Sequence, residues 1–437
     1  MRRLLVSACL LGSVSLPATA NAYRLWEDCP GTPPDADAQP VLRTPLAAGG
    51  EAGTSRCDDR APRWFDLNFW AAPRFTLQEG YEASATRNYS APPGFRVRRA
   101  RIILHGQAHP LLQVRFEADV ATGFNILDAY LLVPFRRYLN VQAGQFRVPF
   151  GREELLSSAR WQFTGPNLWT DAGGGNFVPS FDLGAMVWGY VGPRDLVEYY
   201  AGIFNGEGPA QQANLDSNFL YAGRVVVNPL GRPRRFQEAD LEREGLRVQI
   251  ALDGAYQKQQ LGFYTPPGAS AMTANVRSLA LLGAEVAVFW EGLSVYAEMF
   301  YRDRRDGDTA TEPSTESFGV EAQAGYFIPV EALRNHLEVV ARFQDWAPST
   351  CLTRSAGSNC TEIHPASVSP TEYRDAMHTR AFTFGANWYQ LGHGLKLQFD
   401  YTIYNQLTDL AAADPTTGST SGVVHANLWT LQALGSF

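Results

Sequence analysis

Period-two alternation dominates this chain. Gln113 to Val120 alternates polar and apolar side chains, and so do Arg247 to Gln257, Leu337 to Phe343 and Leu395 to Tyr401. Successive side chains of a strand point to opposite faces, so the pattern sets one face in apolar surroundings and the other in water. Sixteen segments read this way: 63–71, 96–108, 111–120, 126–135, 139–147, 181–191, 196–204, 219–228, 246–258, 276–290, 293–302, 316–328, 336–345, 379–390, 394–405 and 425–437. Many have the roughly 9–12 residues that a tilted strand needs to cross a bilayer. After residue 22 there is no uncharged apolar run of about 18 residues, the length of a spanning helix.

The connections are sorted by strand parity. Those after even-numbered strands are mostly tight: His109-Pro110, Arg136 to Tyr138, Gly192 to Asp195, Glu291-Gly292 and Leu391 to His393. Those after odd-numbered strands are mostly long: 72–95, 148–180, 259–275, 346–378 and 406–424. The exceptions are the short 121–125 and the long, charged 229–245. Short turns at one end and long loops at the other characterise a transmembrane antiparallel up-and-down β-barrel. A soluble sandwich has no reason to sort its loops in this way.

Aromatic residues gather at segment ends. Trp188, Tyr190, Trp290, Tyr326, Phe327, Trp388 and Tyr389 precede short turns, and Tyr301, Trp346 and Tyr404 adjoin long loops. Two interfacial girdles require this placement, although aromatics are also common in any strand. In the last segment Trp429, Leu431, Ala433, Gly435 and Phe437 share one face. A terminal Phe437 with apolar residues at alternate positions behind it resembles the strand that outer-membrane barrels present to the assembly machinery.

Residues 1–22 read as an export signal. Arg2 and Arg3 precede a short apolar stretch, and Ala20-Asn21-Ala22 fits the small-x-small cleavage rule. Residues 23–62, rich in Pro, Gly, Asp and Ala, read as an irregular lead-in, and 63–437 as the barrel. Four cysteines remain after Cys9 leaves with the signal. The local pairs Cys29–Cys57 and Cys351–Cys360 are favoured in an oxidising compartment, and their spacing is not that of a zinc site.

Net charge is −7, and two units more negative once Arg2 and Arg3 are removed. That argues against nucleic acid as a partner. Lysine occurs only at Lys258 and Lys396, so nearly every positive charge is Arg.

From about Phe95 to Phe437 the sequence resembles the phosphate-selective porin O/P family. The likeness rests on Phe95-Arg96-Val97-Arg98-Arg99-Ala100-Arg101-Ile102, on Leu127-Asp128-Ala129-Tyr130, and on Gly144-Gln145-Phe146-Arg147-Val148-Pro149-Phe150-Gly151. Glu154-Leu155, Ser157-Ser158, Gly202-Ile203-Phe204-Asn205-Gly206 and Arg224-Val225-Val226-Val227-Asn228-Pro229 complete it. The resemblance implies a sixteen-stranded outer-membrane porin, usually trimeric, with a constriction loop after the fifth strand. The connection 148–180, the third external loop, stands at that place. The family's Lys and Arg line the pore, whereas inward positions here carry both signs.

The expected function is passive diffusion of small hydrophilic solutes, with an anion or phosphate preference, across the bacterial outer membrane. Arg99, Arg101, Arg115, Arg147, Arg152, Arg160, Arg224 and Arg247 are the expected pore-lining cations, because Arg offers fixed charge and forked donors. Glu117, Asp119, Glu153, Glu154 and Asp171 are the expected acidic wall opposite them. Each Arg has a second reading as a salt bridge to a wall neighbour. Expected partners are membrane lipid, small or anionic solutes, the assembly machinery at Phe437, and two further copies of the chain.

No enzyme, cofactor or metal is expected. Glu153-Glu154 in a polar loop reads as solvated or Arg-paired rather than catalytic. His105 and His109 have a metal spacing only on a helix, and Asp303, Asp306 and Asp308 lack the acidic spacing of a calcium loop. A non-conducting barrel and a secreted soluble all-β protein are the alternatives.

Overall fold

The computed structural model describes residues 23–27, 64–79, 94–109, 111–170, 178–209, 213–264, 273–306, 314–352, 379–406 and 426–436. Its strands are β1 (Tyr23–Glu27), β2 (Trp64–Glu79), β3 (Gly94–His109), β4 (Leu112–Asp119), β5 (Asn125–Arg136), β6 (Leu139–Arg147), β7 (Phe181–Val191), β8 (Val197–Phe204) and β9 (Leu220–Val227). They continue as β10 (Arg247–Tyr264), β11 (Thr273–Trp290), β12 (Leu293–Asp306), β13 (Ser314–Phe327), β14 (Leu337–Leu352), β15 (Thr379–Tyr389), β16 (Leu395–Gln406) and β17 (Ala426–Ser436). One four-residue helix, α1 (Arg152–Leu155), follows β6.

Each strand from β2 to β17 pairs antiparallel with the next, β9 pairs with β10, and β17 pairs with β2. The sheet is thus a closed ring of sixteen strands. Closure satisfies the backbone without leaving an edge, which a hydrocarbon surrounding demands. Strand β1, from the segment expected to be irregular, continues the sheet beside the start of β2, with Tyr23 opposite Leu67 and Glu27 opposite Trp64.

The expected segments coincide in number, and nearly in bounds, with the sixteen ring strands β2–β17, and β1 is an addition to them. The differences lie on the long-loop side, where hairpins run past the expected ends: β10 reaches Tyr264, β12 reaches Asp306 and β14 reaches Leu352. This puts Cys351 on β14, opposite Thr315, rather than in a loop. The wall is therefore uneven, with eight-residue strands at β4, β8 and β9 and eighteen-residue strands at β10 and β11. On the short-turn side, Glu291 and Gly292 both have positive φ, 48° and 92°. That is the two-residue turn whose twist matches paired strands.

Alternation sorts the faces as expected. Leu131, Val187, Tyr221, Leu252, Leu282 and Leu431 are exposed on the outside, while Asp128, Glu198, Asp253, Glu298, Glu338 and Asp400 are buried on the inside. The aromatic girdle needs correcting. Trp290, Tyr326 and Trp388 are exposed, but Trp188, Tyr190, Phe327, Tyr389 and Trp346 are buried. Consecutive strand residues face opposite ways, so Tyr326 and Phe327 cannot both reach lipid, nor can Trp388 and Tyr389. The inward aromatics build a core inside the barrel. Phe146 meets Tyr130 and Phe204 edge-on at 5.8 and 5.3 Å, and Trp188 stacks with Tyr200 at 6.3 Å.

Candidate constriction site

The connection after β6 folds into the barrel, as the third external loop was expected to do. Its root is closed by the Val148 N–H donating to the Ser180 carbonyl at 2.8 Å. Val148, Phe150, Trp169 and Val178 join the apolar core on the inner wall. Gly151 turns the chain into α1 with φ 72°, and a Cβ there would lie 2.7 Å from the Glu298 carboxylate. Glycine is needed on both counts.

A chain segment inside a barrel carries backbone groups that must find partners. The inward polar residues of the wall supply them. Thr164 donates its N–H to Asp400 at 2.6 Å, and Arg152 donates its N–H to Glu298 at 3.2 Å. Lys396 donates to the Trp161 carbonyl at 2.6 Å, Asn387 to the Gln162 carbonyl at 2.8 Å, and Arg342 to the Gly165 carbonyl at 3.1 Å. These bonds tie residues 152–165 to β12 and β14–β16.

A second segment enters from the opposite mouth. The connection between Val227 and Arg247, the exception to loop parity, also turns inward. At its root Asn228 donates to Glu198 at 2.9 Å, and Arg232 pairs with the same carboxylate at 3.2 Å. In its middle the Glu238 carboxylate accepts the Gln162 N–H at 2.5 Å, and the carbonyls of Gln237 and Phe236 accept from Arg152 and Arg160 at 2.9 and 3.2 Å. At its far end Asp240 accepts the Gly292 N–H at 2.7 Å, and Arg243 donates to the Glu291 and Arg334 carbonyls. Ala239 and Leu241 pack there with Phe327 and Tyr389.

The junction is acidic. Glu153 on α1 is buried with Glu321, Glu238 and Glu298 near it, and Arg342 lies 3.7 Å away. Burial, then the Glu321 charge, push the Glu153 carboxyl well above its ordinary range. Burial raises the Glu238 carboxyl as well.

On β3–β5 charges alternate along the inner wall. Arg101 donates to Glu117 at 2.5 Å and to Asp119 at 3.4 Å, and Arg115 donates to Asp128 at 2.9 Å and also reaches Glu117. Arg99 extends this row and faces the constriction segment, 5.0 Å from the Trp161 ring.

The expected cations thus separate into three groups. Arg99, Arg101 and Arg115 form the β3–β5 row, where Arg101 is buried between Glu117 and Asp119. Arg147, Arg152, Arg160 and Arg224 are enclosed. Arg147 donates to the Leu155 carbonyl at 2.9 Å and lies 4.8 Å from the Phe181 ring. Strand β6 pairs with β7 in unbroken register from Asn140 to Arg147. Arg152 donates to Gln249 at 2.8 Å and lies over Phe236. Arg224 is held between Asp253, at 2.6 Å, and Glu285. Arg147, Arg152 and Arg160 thus fasten loop carbonyls and a wall amide, whereas Arg224 is ion-paired to wall carboxylates. Arg247 lies at the short-turn rim, 3.8 Å from Glu244. Of the expected acidic wall, Glu117 and Asp119 belong to the β3–β5 row and Glu153 and Glu154 to the packed loop, where Glu154 accepts from Ser180.

Asp171, Cys29, Cys57, Cys360, Phe437 and the export segment 1–22 lie outside the described residues. The sequence reading did not assign Glu285 to the Arg224 pair, nor a role to Glu238 or Arg243. The one signal for the latter two was the long charged stretch on the wrong side of the parity rule.

The profile of a family described as phosphate-selective porin O and P matches residues 76–420. No curated protein matches in sequence. Among solved structures, the chain resembles in-vitro folded OmpT, an outer membrane protein of Vibrio cholerae in its trimer form, with TM-score 0.51 and 9% identity, covering 86% of this chain and 99% of that one. OprB of Pseudomonas putida aligns with TM-score 0.52 and 11% identity, over 86% and 94% of the two chains. An anion-selective porin from Comamonas acidovorans aligns with TM-score 0.52 and 12% identity, over 86% and 100%.

Proposed function

Since the chain belongs to the phosphate-selective porin O and P family, and is an outer-membrane porin, we propose that it passes small hydrophilic solutes by passive diffusion with a mild anion preference. The observation that carries this reading is the charged row on β3–β5. It combines fixed Arg cations with neighbouring carboxylates beside the segment that narrows the barrel. Arg99, Arg101 and Arg115 attract anions, while Glu117, Asp119 and Asp128 moderate them. The family's name and the anion-selective porin of Comamonas acidovorans support the sign of the preference. Reversal potentials in a salt gradient across planar bilayers test it. Anion-weighted permeability is the expected outcome, and a cation-weighted one refutes it.

A homotrimer is part of the same proposal. An eight-residue strand rises about 26 Å, and tilted by about 40° it covers about 20 Å of a ~25 Å apolar band. By this measure β4, β8 and β9 are all short, and the adjacent pair β8–β9 makes the wider gap that a protein neighbour would cover. The outward face of this pair offers Ala201, Ile203, Tyr221 and Val225, an exposed apolar surface. The export signal at 1–22 and recognition of the terminal strand by the assembly machinery complete the proposal.

A further inference from the structure

A barrel turn on the short side needs only a few residues. The connection between Val227 and Arg247 is far longer, and its Arg232, Arg234, Arg235 and Arg243 are matched by Glu238, Asp240, Glu242 and Glu244. A long, polar, electrically balanced segment has no reason to leave water unless the interior provides specific partners. It is fastened at its root to Glu198, in its middle to residues 152–162, and at its end to the turn carbonyls of Glu291 and Arg334. The middle fastening joins it to the third external loop.

Exposure of the inward charges follows this arrangement. Behind the two segments, the side chains of Arg224, Asp253 and Glu285 are 3%, 1% and 2% exposed. On the β3–β5 row, Arg115, Asp128 and Asp119 retain 11%, 12% and 17%, while Arg101 and Glu117 between them are enclosed at 2% and 4%. Water thus reaches part of the β3–β5 row more readily than it reaches the Arg224 cluster.

We propose that the connection between Val227 and Arg247 is a second constriction element: it holds residues 152–162 in place from the short-turn mouth, closes the β10–β16 side of the lumen, and confines solutes to the strip along β3–β5. The inference rests on the porin reading for its consequence, but not for its geometry. Glu238 and Arg243 are positioning residues. They act on passage through the segment they hold.

The test uses the full chain in native-like form. Ala287, buried on the inner face of β11, is changed to Cys, and Asp119 likewise in a second protein. Each is treated with a charged methanethiosulfonate reagent, with the parent chain as background. Asp119→Cys should react and Ala287→Cys should not. Replacing residues 233–242 by a Gly-Ser linker should expose Ala287→Cys and raise single-channel conductance at least about twofold. Equal labelling and unchanged conductance in a variant that keeps heat-modifiable mobility would overturn the inference. If the linker variant does not fold, Arg243→Ala decides in its place, with faster Ala287→Cys labelling and less steady current expected and parent-like behaviour refuting. If the parent itself conducts nothing, the porin reading fails, while the labelling rates still decide whether the segment covers the β10–β16 wall.

Discussion

Arg115 on β4 donates to Asp128 on β5 at 2.9 Å, and its guanidinium also reaches Glu117 two residues along its own strand. One cation is thus shared by two carboxylates. Arg101 makes a similar pair of contacts, to Glu117 and Asp119. Arg115→Gln leaves these carboxylates with fewer partners in the strip assigned to the solute path. The expected result is a shift of the cation-to-anion permeability ratio toward cations by about threefold, read from the reversal potential. Asp119→Asn should move it the opposite way.

Arg224 behaves differently because its partners are enclosed. Removing one member of a buried ionic cluster leaves the others uncompensated, at a cost of about 3–5 kcal/mol. Arg224→Met should lower the temperature at which the barrel loses its compact mobility in detergent. Adding Asp253→Asn and Glu285→Gln should restore most of the loss, since no buried charge then remains in that cluster.

Anchoring of α1 should depend on pH. Glu153 is buried beside Glu321, Glu238 and Glu298, with Arg342 as the nearby cation, and its carboxyl is pushed well above the ordinary 4.5. A raised acid favours the protonated form in the folded state. Its stabilisation is complete below about pH 4.5 and is lost as pH climbs through the raised value. Current fluctuations should therefore grow as pH rises above the ordinary carboxylate range, and Glu153→Gln should flatten that dependence. A profile identical in both proteins would exclude Glu153 as its source.

The short wall supplies a fourth test. Ala201 is exposed on the outer face of β8 in the region proposed to contact neighbouring copies. Ala201→Arg should convert trimers to monomers on unheated gels while leaving heat-modifiable mobility of the monomer. Persisting trimers would place the contact elsewhere.

The cysteine pairing gives a fifth. Native protein should contain no free thiol, with Cys29 joined to Cys57 and Cys351 to Cys360. Loss of either bridge should leave barrel mobility unchanged, because the ring closes through β2–β17 independently of both.

Alternation made the strands legible because each residue's direction is fixed by its neighbours two places away. Inward Asp128, Asp253, Glu338 and Asp400 follow from that rule alone. Which inward charge meets water and which meets a loop does not follow from it. Arg152 bonds Gln249, 97 residues on, and Lys396 bonds the carbonyl of Trp161, 235 residues back. Such pairings depend on the route of a loop across the interior, which has no period. The aromatic ends show the limit at short range. Tyr326 and Phe327 look equivalent by position, yet strand geometry sends one outward and the other inward onto Ala239 and Leu241.

The seam between β17 and β2 has a consequence in time. Arg74 and Gln432 meet there across 358 residues of chain, and Arg74 also reaches inward to the Thr164 carbonyl. A fastening of the third external loop is thereby tied to the last pairing needed to close the ring. Hairpins can form early because their contacts are local, whereas this contact carries the largest loop-closure entropy. Completion of the interior should therefore come late, when the sheet meets itself. Damage to the seam should consequently appear first as a delay in maturation, even where the finished barrel is stable.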